Sequence, residues 1–230
     1  MATSLSRDDR PAVKVAAAGS PQPRATFLYR LAGVAIGAPL TMLYRPLVRG
    51  RYHVPRGGFI LCANQLSNMD TVALPISFLP RPLRAMGKAE LWNPVLGPLL
   101  TALGGFPVHR GRVDTRAIES AVAAARAGHG VLVFPEGTRR AKGSHKTQEP
   151  PKPHEGPALI ALLAGVPILP AGIRGTEALT RLRRWRITYG EPIDTTAFAA
   201  LPRREARREL TRVLWERISE LEGQLDAEAR

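Results

Sequence analysis

Cysteine is nearly missing from this 230-residue chain, where Cys62 stands alone. One thiol excludes an intramolecular disulfide and any CxxC metal loop, and it fits a reducing cytoplasm. Aromatic residues are scarce too, at 6%. They are not interleaved with basic residues as a base-stacking platform requires, so nucleic acid is not an expected partner. His53, His109, His129, His145 and His154 are scattered without metal-ligand spacing, which argues against a zinc site. No metal and no cofactor is expected. Acidic side chains are few, 19 against 33 Lys and Arg, for a net charge of +14. No secretory leader is expected, because Asp8 and Asp9 interrupt the N-terminus and no continuous apolar core follows.

The positive excess is unevenly placed. From Leu201 onward seven basic side chains meet seven acidic ones, so the whole surplus lies upstream. Such an excess calls for anionic partners: a phosphorylated ligand or an acidic membrane surface. Residues 1–24, rich in Ala, Ser, Pro and charge, read as a disordered tail. Residues 25–50 follow as an apolar segment flanked by Arg30, Arg45 and Arg49, with Tyr29 and Tyr44 beside two of them. Its longest uncharged stretch, 31–44, falls short of the roughly 20 residues of a membrane span, and Pro39 interrupts it. One or two interfacial helices lying on a bilayer are expected; a pair of core-packing helices is the alternative.

From Arg51 to about residue 200 the pattern alternates. Apolar runs at 59–63, 131–134, 168–173 and 185–189 read as strands, and 115–127 and 158–164 as helices. That order predicts an α/β domain with a central mixed sheet flanked by helices. Residues 201–230 close the chain as an amphipathic helix packed on the domain, with Leu210, Val213, Leu214, Ile218 and Leu221 on one face. A proline- and glycine-bearing loop at 141–153 has two readings, a lid over a site or a solvated insertion.

Four blocks carry chemistry-bearing residues: "NQLSNMD" (64–70), "GGFPVHRGR" (104–112), "VFPEGTRR" (133–140) and "GVPILPAGIRG" (165–175). Each alone is ordinary strand-end loop. In this order and spacing they resemble the 1-acylglycerol-3-phosphate acyltransferase (PlsC-like) family over roughly residues 51–193, with "FPEGTRR" the most specific part. The resemblance implies acyl transfer from acyl-CoA or acyl carrier protein to lysophosphatidate, at the cytoplasmic face of the cell membrane, by a peripheral or monotopic protein. It implies a histidine general base at position 65 and its orienting aspartate at Asp70. It implies phosphate contacts from Lys88, Arg110, Arg112 and Arg139, and substrate positioning by Glu136, Gly137 and Thr138. The fourth block is implied to wall the acyl site. Cys62 reads as a buried inert thiol, Ser67 as a helix cap and His109 as a surface or pocket-lining residue.

One position departs from the pattern. Gln65 stands where the family has histidine. Glutamine keeps the reach and the hydrogen bonds but takes up no proton near neutral pH. Preserved geometry and binding with severely reduced turnover are expected. An introduced His→Gln change and a naturally degenerate member both explain it, and the intact remaining blocks favour the first. A non-catalytic lipid-binding relative, or an acyltransferase for another lysolipid, is the alternative.

Overall fold

The structure, a computed structural model, describes residues 25–79, 81–109, 114–137 and 153–228. The expected tail at 1–24 and most of the expected loop at 141–153 lie outside them. Seven strands form one sheet: β1 Leu47–Arg49, β2 Phe59–Ala63, β3 Leu83–Lys88, β4 Gly105–Val108, β5 Gly130–Val133, β6 Ile168–Arg174 and β7 Arg186–Tyr189. Their spatial order is β1-β7-β6-β2-β5-β3-β4. Every pairing is parallel except β6 with β7. The sheet is therefore mixed and helix-flanked, as the alternation predicts. Helices are α1 Phe27–Ala32, α2 Ala38–Tyr44, α3 Asp70–Ser77, α4 Gly97–Ala102, α5 Thr115–Arg126, α6 Gly156–Ala164 and α7 Arg203–Ala227.

β2 sits at the centre and is buried at all five positions, because both sheet faces are covered. That is why it reads as an unbroken apolar run rather than an alternating one. Phe59, Leu61 and Ala63 join the cluster beneath α3, with Leu74, Phe78, Tyr44 and Trp185. Ile60 and Cys62 join the opposite cluster beneath α5, α6 and α7, with Ala121, Ile160, Leu210, Leu214 and Ile218. The period of two along β2 thus sorts its side chains into two cores.

The apolar segment forms one helix, Phe27–Tyr44, of 18 residues with mean hydropathy 1.3. By length and composition it suffices to cross a membrane, more than the uncharged stretch alone implies, because Phe27–Arg30 extend it. Pro39 does not break it: a wider π turn, Gly33–Gly37, precedes α2 and places the proline in the first turn, where no amide is missed. Gly33 and Gly37 let the helix approach α3 and its end closely. A Cβ at Gly33 would stand 3.0 Å from Leu79, and one at Gly37 3.4 Å from Ile76. Both ends are pinned. Tyr29 Oη accepts from Leu83 N at 3.4 Å, and the Tyr44 ring stacks on Trp185 with centroids 4.5 Å apart. The outer face keeps Phe27, Leu31, Val34, Ile36 and Met42 exposed. β1 falls within 25–50, so the sheet begins before Arg51.

Candidate active site

In open α/β sheets, ligand sites form where strands end at their carboxyl edges. Here β2 delivers Asn64 and Gln65 to that edge, and β5 delivers Glu136 and Gly137. Asn64, Gln65, Asp70 and Glu136 are all buried, none above 4% exposed.

Asn64 acts as a clamp. Its Nδ2 donates to Ile173 O at 3.1 Å and its Oδ1 accepts from Ile173 N at 2.8 Å. The amide continues the β2–β6 ladder one step past Ala63, where the β2 backbone turns away. Asp70 opens α3 and closes the loop behind it. Its Oδ2 accepts from Leu66 N at 2.6 Å and from Ser67 N at 2.8 Å. Ser67 does not cap the helix: its hydroxyl accepts from Met69 N at 3.0 Å, inside the preceding turn. The aspartate provides that turn's main anchor because it can take two amides on one oxygen.

Burial raises the Asp70 carboxyl above the ordinary carboxylate value. The Ser67 amide, the neighbouring Thr176 hydroxyl and the Leu66 amide oppose the shift, and the nearby Glu177 charge adds to it. Among the described residues, Asp70 Oδ1, Gln65 Oε1 and Thr176 Oγ1 are buried, and none completes a hydrogen bond of ordinary geometry.

Glu136 Oε1 accepts from Gln65 N at 3.4 Å, which ties the β5 loop to the β2 loop. Gly137 has φ +66, and a Cβ there would lie 2.7 Å from the His154 ring. Only glycine suits both the left-handed backbone and that close neighbour. His154 is held in turn by its amide, which donates to Pro135 O at 2.8 Å.

The structure therefore brings Gln65, Asp70, Glu136 and Gly137 together. Lys88 ends β3, two strands from β2, where its Nζ pairs with Glu90 at 3.3 Å. Arg110, Arg112, Thr138 and Arg139 lie outside the described residues. His109 sits on the outer strand edge, with Nδ1 2.9 Å from Asp114 Oδ2. Cys62 is fully buried and burial pushes its thiol up, away from the reactive thiolate. Among the described residues, no three His, Cys, Asp or Glu side chains cluster as metal ligands. Two neighbours of Asp70 escape local sequence reading: Thr176 and Glu177 stand beside it from just past the carboxyl end of β6. The only local signal was a polar pair after Gly175.

An acyltransferase family model matches residues 45–174, from the start of β1 to the end of β6. The chain belongs to the acyltransferase family. This acyltransferase is 28% identical over 204 residues to a 1-acyl-sn-glycerol-3-phosphate acyltransferase of Bacillus subtilis (strain 168), covering 86% of this chain and 99% of that protein. Its fold is similar to the crystal structure of the 1-acyl-sn-glycerophosphate (LPA) acyltransferase PlsC from Thermotoga maritima. That match has a TM-score of 0.57 and 26% identity, covering 84% of this chain and 82% of the other. The family-model span, residues 45–174, includes the Asn64–Asp70 and Glu136–Gly137 loops and leaves out α7 and the whole Phe27–Tyr44 helix.

Proposed function

We propose that this acyltransferase moves an acyl group from a thioester, acyl-CoA or acyl carrier protein, to the free hydroxyl of lysophosphatidate, giving phosphatidate. The observation that carries the reading is the buried grouping of Gln65, Asp70 and Glu136 at the carboxyl ends of β2 and β5. In the reaction the acceptor hydroxyl oxygen bonds to the thioester carbonyl carbon and loses its proton. The tetrahedral adduct then collapses, the C–S bond breaks, and the thiolate leaves and is protonated.

Each step asks for a residue type. The hydroxyl needs a base as it attacks, and position 65 with Asp70 supplies the place for one. Gln65 accepts a hydrogen bond from the hydroxyl through its oxygen but does not take the proton, so turnover is slower by about 10²–10⁴ than with histidine. Lys88, Arg110, Arg112 and Arg139 hold the acceptor phosphate; arginine does so through two parallel bonds. Glu136, Gly137 and Thr138 set the position of the substrate. The enzyme works as a peripheral or monotopic protein on the cytoplasmic face of the cell membrane, with the exposed face of Phe27–Tyr44 in the interface and the positive charge facing anionic lipid.

The test is thioester consumption with and without lysophosphatidate. Slow, acceptor-dependent release of thiol is expected, with a large gain in Gln65→His. No transfer from either protein would overturn the reading. Gln65 itself favours a second one, a non-catalytic lipid-binding relative, which predicts lysophosphatidate binding without thiol release even in Gln65→His.

A further inference from the structure

A groove opens at the same end of the sheet. β7 runs antiparallel to β6, and β1 runs parallel to β7, with Leu47 and Arg174 both opposite Arg186. Residues just before β1 and β7 therefore lie at the edge where β2 and β5 end. There a groove of about 770 Å3 is lined by Met42, Leu43, Tyr44, Leu182 and the two arginines Arg45 and Arg184.

Three independent features converge on it. First, Arg45 (φ 43) and Leu182 (φ 45) are the non-glycine residues with positive φ among the described residues, and both line this groove. Each ends a helical segment, Arg45 after α2 and Leu182 after the turn Leu179–Arg181, and the left-handed backbone there turns the chain along the groove's rim. The surroundings here are rigid. Arg184 Nε donates to Arg45 O at 2.8 Å, Tyr44 Oη donates to Leu179 O at 3.2 Å, and Tyr44 stacks on Trp185. Second, neither Arg45 nor Arg184 forms an ion pair among the described residues, and both are exposed. Third, the groove's apolar wall continues into the outer face of the Phe27–Tyr44 helix, with Met42 83% and Phe27 81% exposed. Two unpaired cations beside apolar wall match an anion with a hydrocarbon tail. The loop 175–185 links this place to the catalytic cluster: Thr176 and Glu177 stand at Asp70, while Leu182 and Arg184 stand at the groove.

We propose that this groove seats one anionic phospholipid of the leaflet, its phosphate between Arg45 and Arg184 and an acyl chain along Met42, Leu43 and Leu182. The seat rests on the membrane-lipid acyltransferase reading, and it is separate from the acceptor site at Gln65 and Asp70. It holds the sheet edge against the bilayer, so that a lysolipid reaches the catalytic cluster without leaving the lipid phase. Zwitterionic headgroups fit less well, because their cation would face the two guanidinium groups.

Isothermal titration of the full chain with monomeric dihexanoyl phosphatidylglycerol tests it, with glycerol 3-phosphate and coenzyme A as separate ligands. One lipid per chain is expected. Arg45→Gln and Arg184→Gln each weaken binding by about fivefold. Leu182→Glu abolishes it, while Arg204→Gln, an exposed arginine on α7, leaves it unchanged. Circular dichroism establishes that each variant is folded. Unchanged binding in folded Arg45→Gln would overturn the proposal. So would glycerol 3-phosphate binding as tightly as the lipid, which marks a phosphate site alone, or coenzyme A displacing the lipid, which marks a donor site. Because no turnover is read, failure of the acyl-transfer assay with intact lipid binding would sink the function reading and leave this seat standing.

Discussion

Two regions share one end of the sheet and are built on opposite principles. At the centre, where β2 and β5 end, polar groups are dry: Asn64 and Asp70 show no exposure, and Gln65 and Glu136 almost none. At the rim, Lys88, Arg45 and Arg184 stand in solvent beside exposed apolar residues. In the dry centre a hydrogen bond is strong and an unpaired group is costly, so its residues act on the transition state and on folding. At the rim, water screens each charge, so its residues act on capture and docking. A substitution in one region should leave the other region's observable alone.

The largest effect expected is at the centre. Gln65→His should raise kcat by about 10²–10⁴ with little change in KM, read by steady-state thioester release. Restoration of a base that instead lowered KM alone would dissolve the distinction between centre and rim.

Next comes Asn64→Ala. It removes both bonds to Ile173 and strands a buried amide and a buried carbonyl, a destabilisation of about 2–4 kcal/mol in chemical denaturation. A loss below about 0.5 kcal/mol would show that water replaces the clamp.

Asp70→Asn separates folding from chemistry within the centre. Burial raises the carboxyl in the folded state, so the native protein binds its proton more tightly than the unfolded chain. Between the unfolded and the raised folded values, the native state holds more protons, and stability falls as pH rises through that window. Glu90, whose carboxyl is lowered by its own backbone amide and by Lys88, and Glu209, lowered by Arg212, pull the other way. The test is therefore the difference between parent and Asp70→Asn in thermal melts. It should shrink as pH rises through that window, while activity drops in the variant. A difference that grew with pH would contradict the assignment.

The smallest effect belongs to the rim. Lys88→Gln should raise KM for lysophosphatidate by about fivefold at low salt, fading as salt is added. Its effect on stability should stay within about 0.5 kcal/mol in the same denaturation experiment.

The parts legible in the sequence were those whose signal is local. β2 announces itself because burial on both faces forces an uninterrupted apolar run, and α7 because one face repeats Leu and Ile at helical spacing. β1, β3 and β4 carry no such signal. β1 is three residues long and ends in Arg49, β3 carries Arg84 and Lys88, and β4 carries Pro107. Their pairing partners decide them: Leu47 sits opposite Arg186, far away in the chain. Pro39 looked like a break because a proline inside a regular helix lacks an amide and clashes with the preceding turn. The π turn that absorbs it has no sequence signature beyond Gly33 and Gly37.

The site divides the same way. Gln65, Asp70, Glu136 and Gly137 stood out as motif positions, and the structure groups them. Thr176 and Glu177 carry no motif signal because their relation to Asp70 exists only once β6 lies beside β2. Asn64 belongs to the same motif, yet its bonds to Ile173 follow from a register that only the folded sheet defines.

Cys62 offers a built-in probe. It is the sole thiol, at 0% exposure on the central strand, with burial raising its pKa. A disulfide reagent reacts with it only in molecules whose core has opened. The labelling rate in native buffer therefore counts those openings without any introduced reporter. Loosening of the core by Asn64→Ala would register there directly, and lipid seated at the groove should slow the same clock.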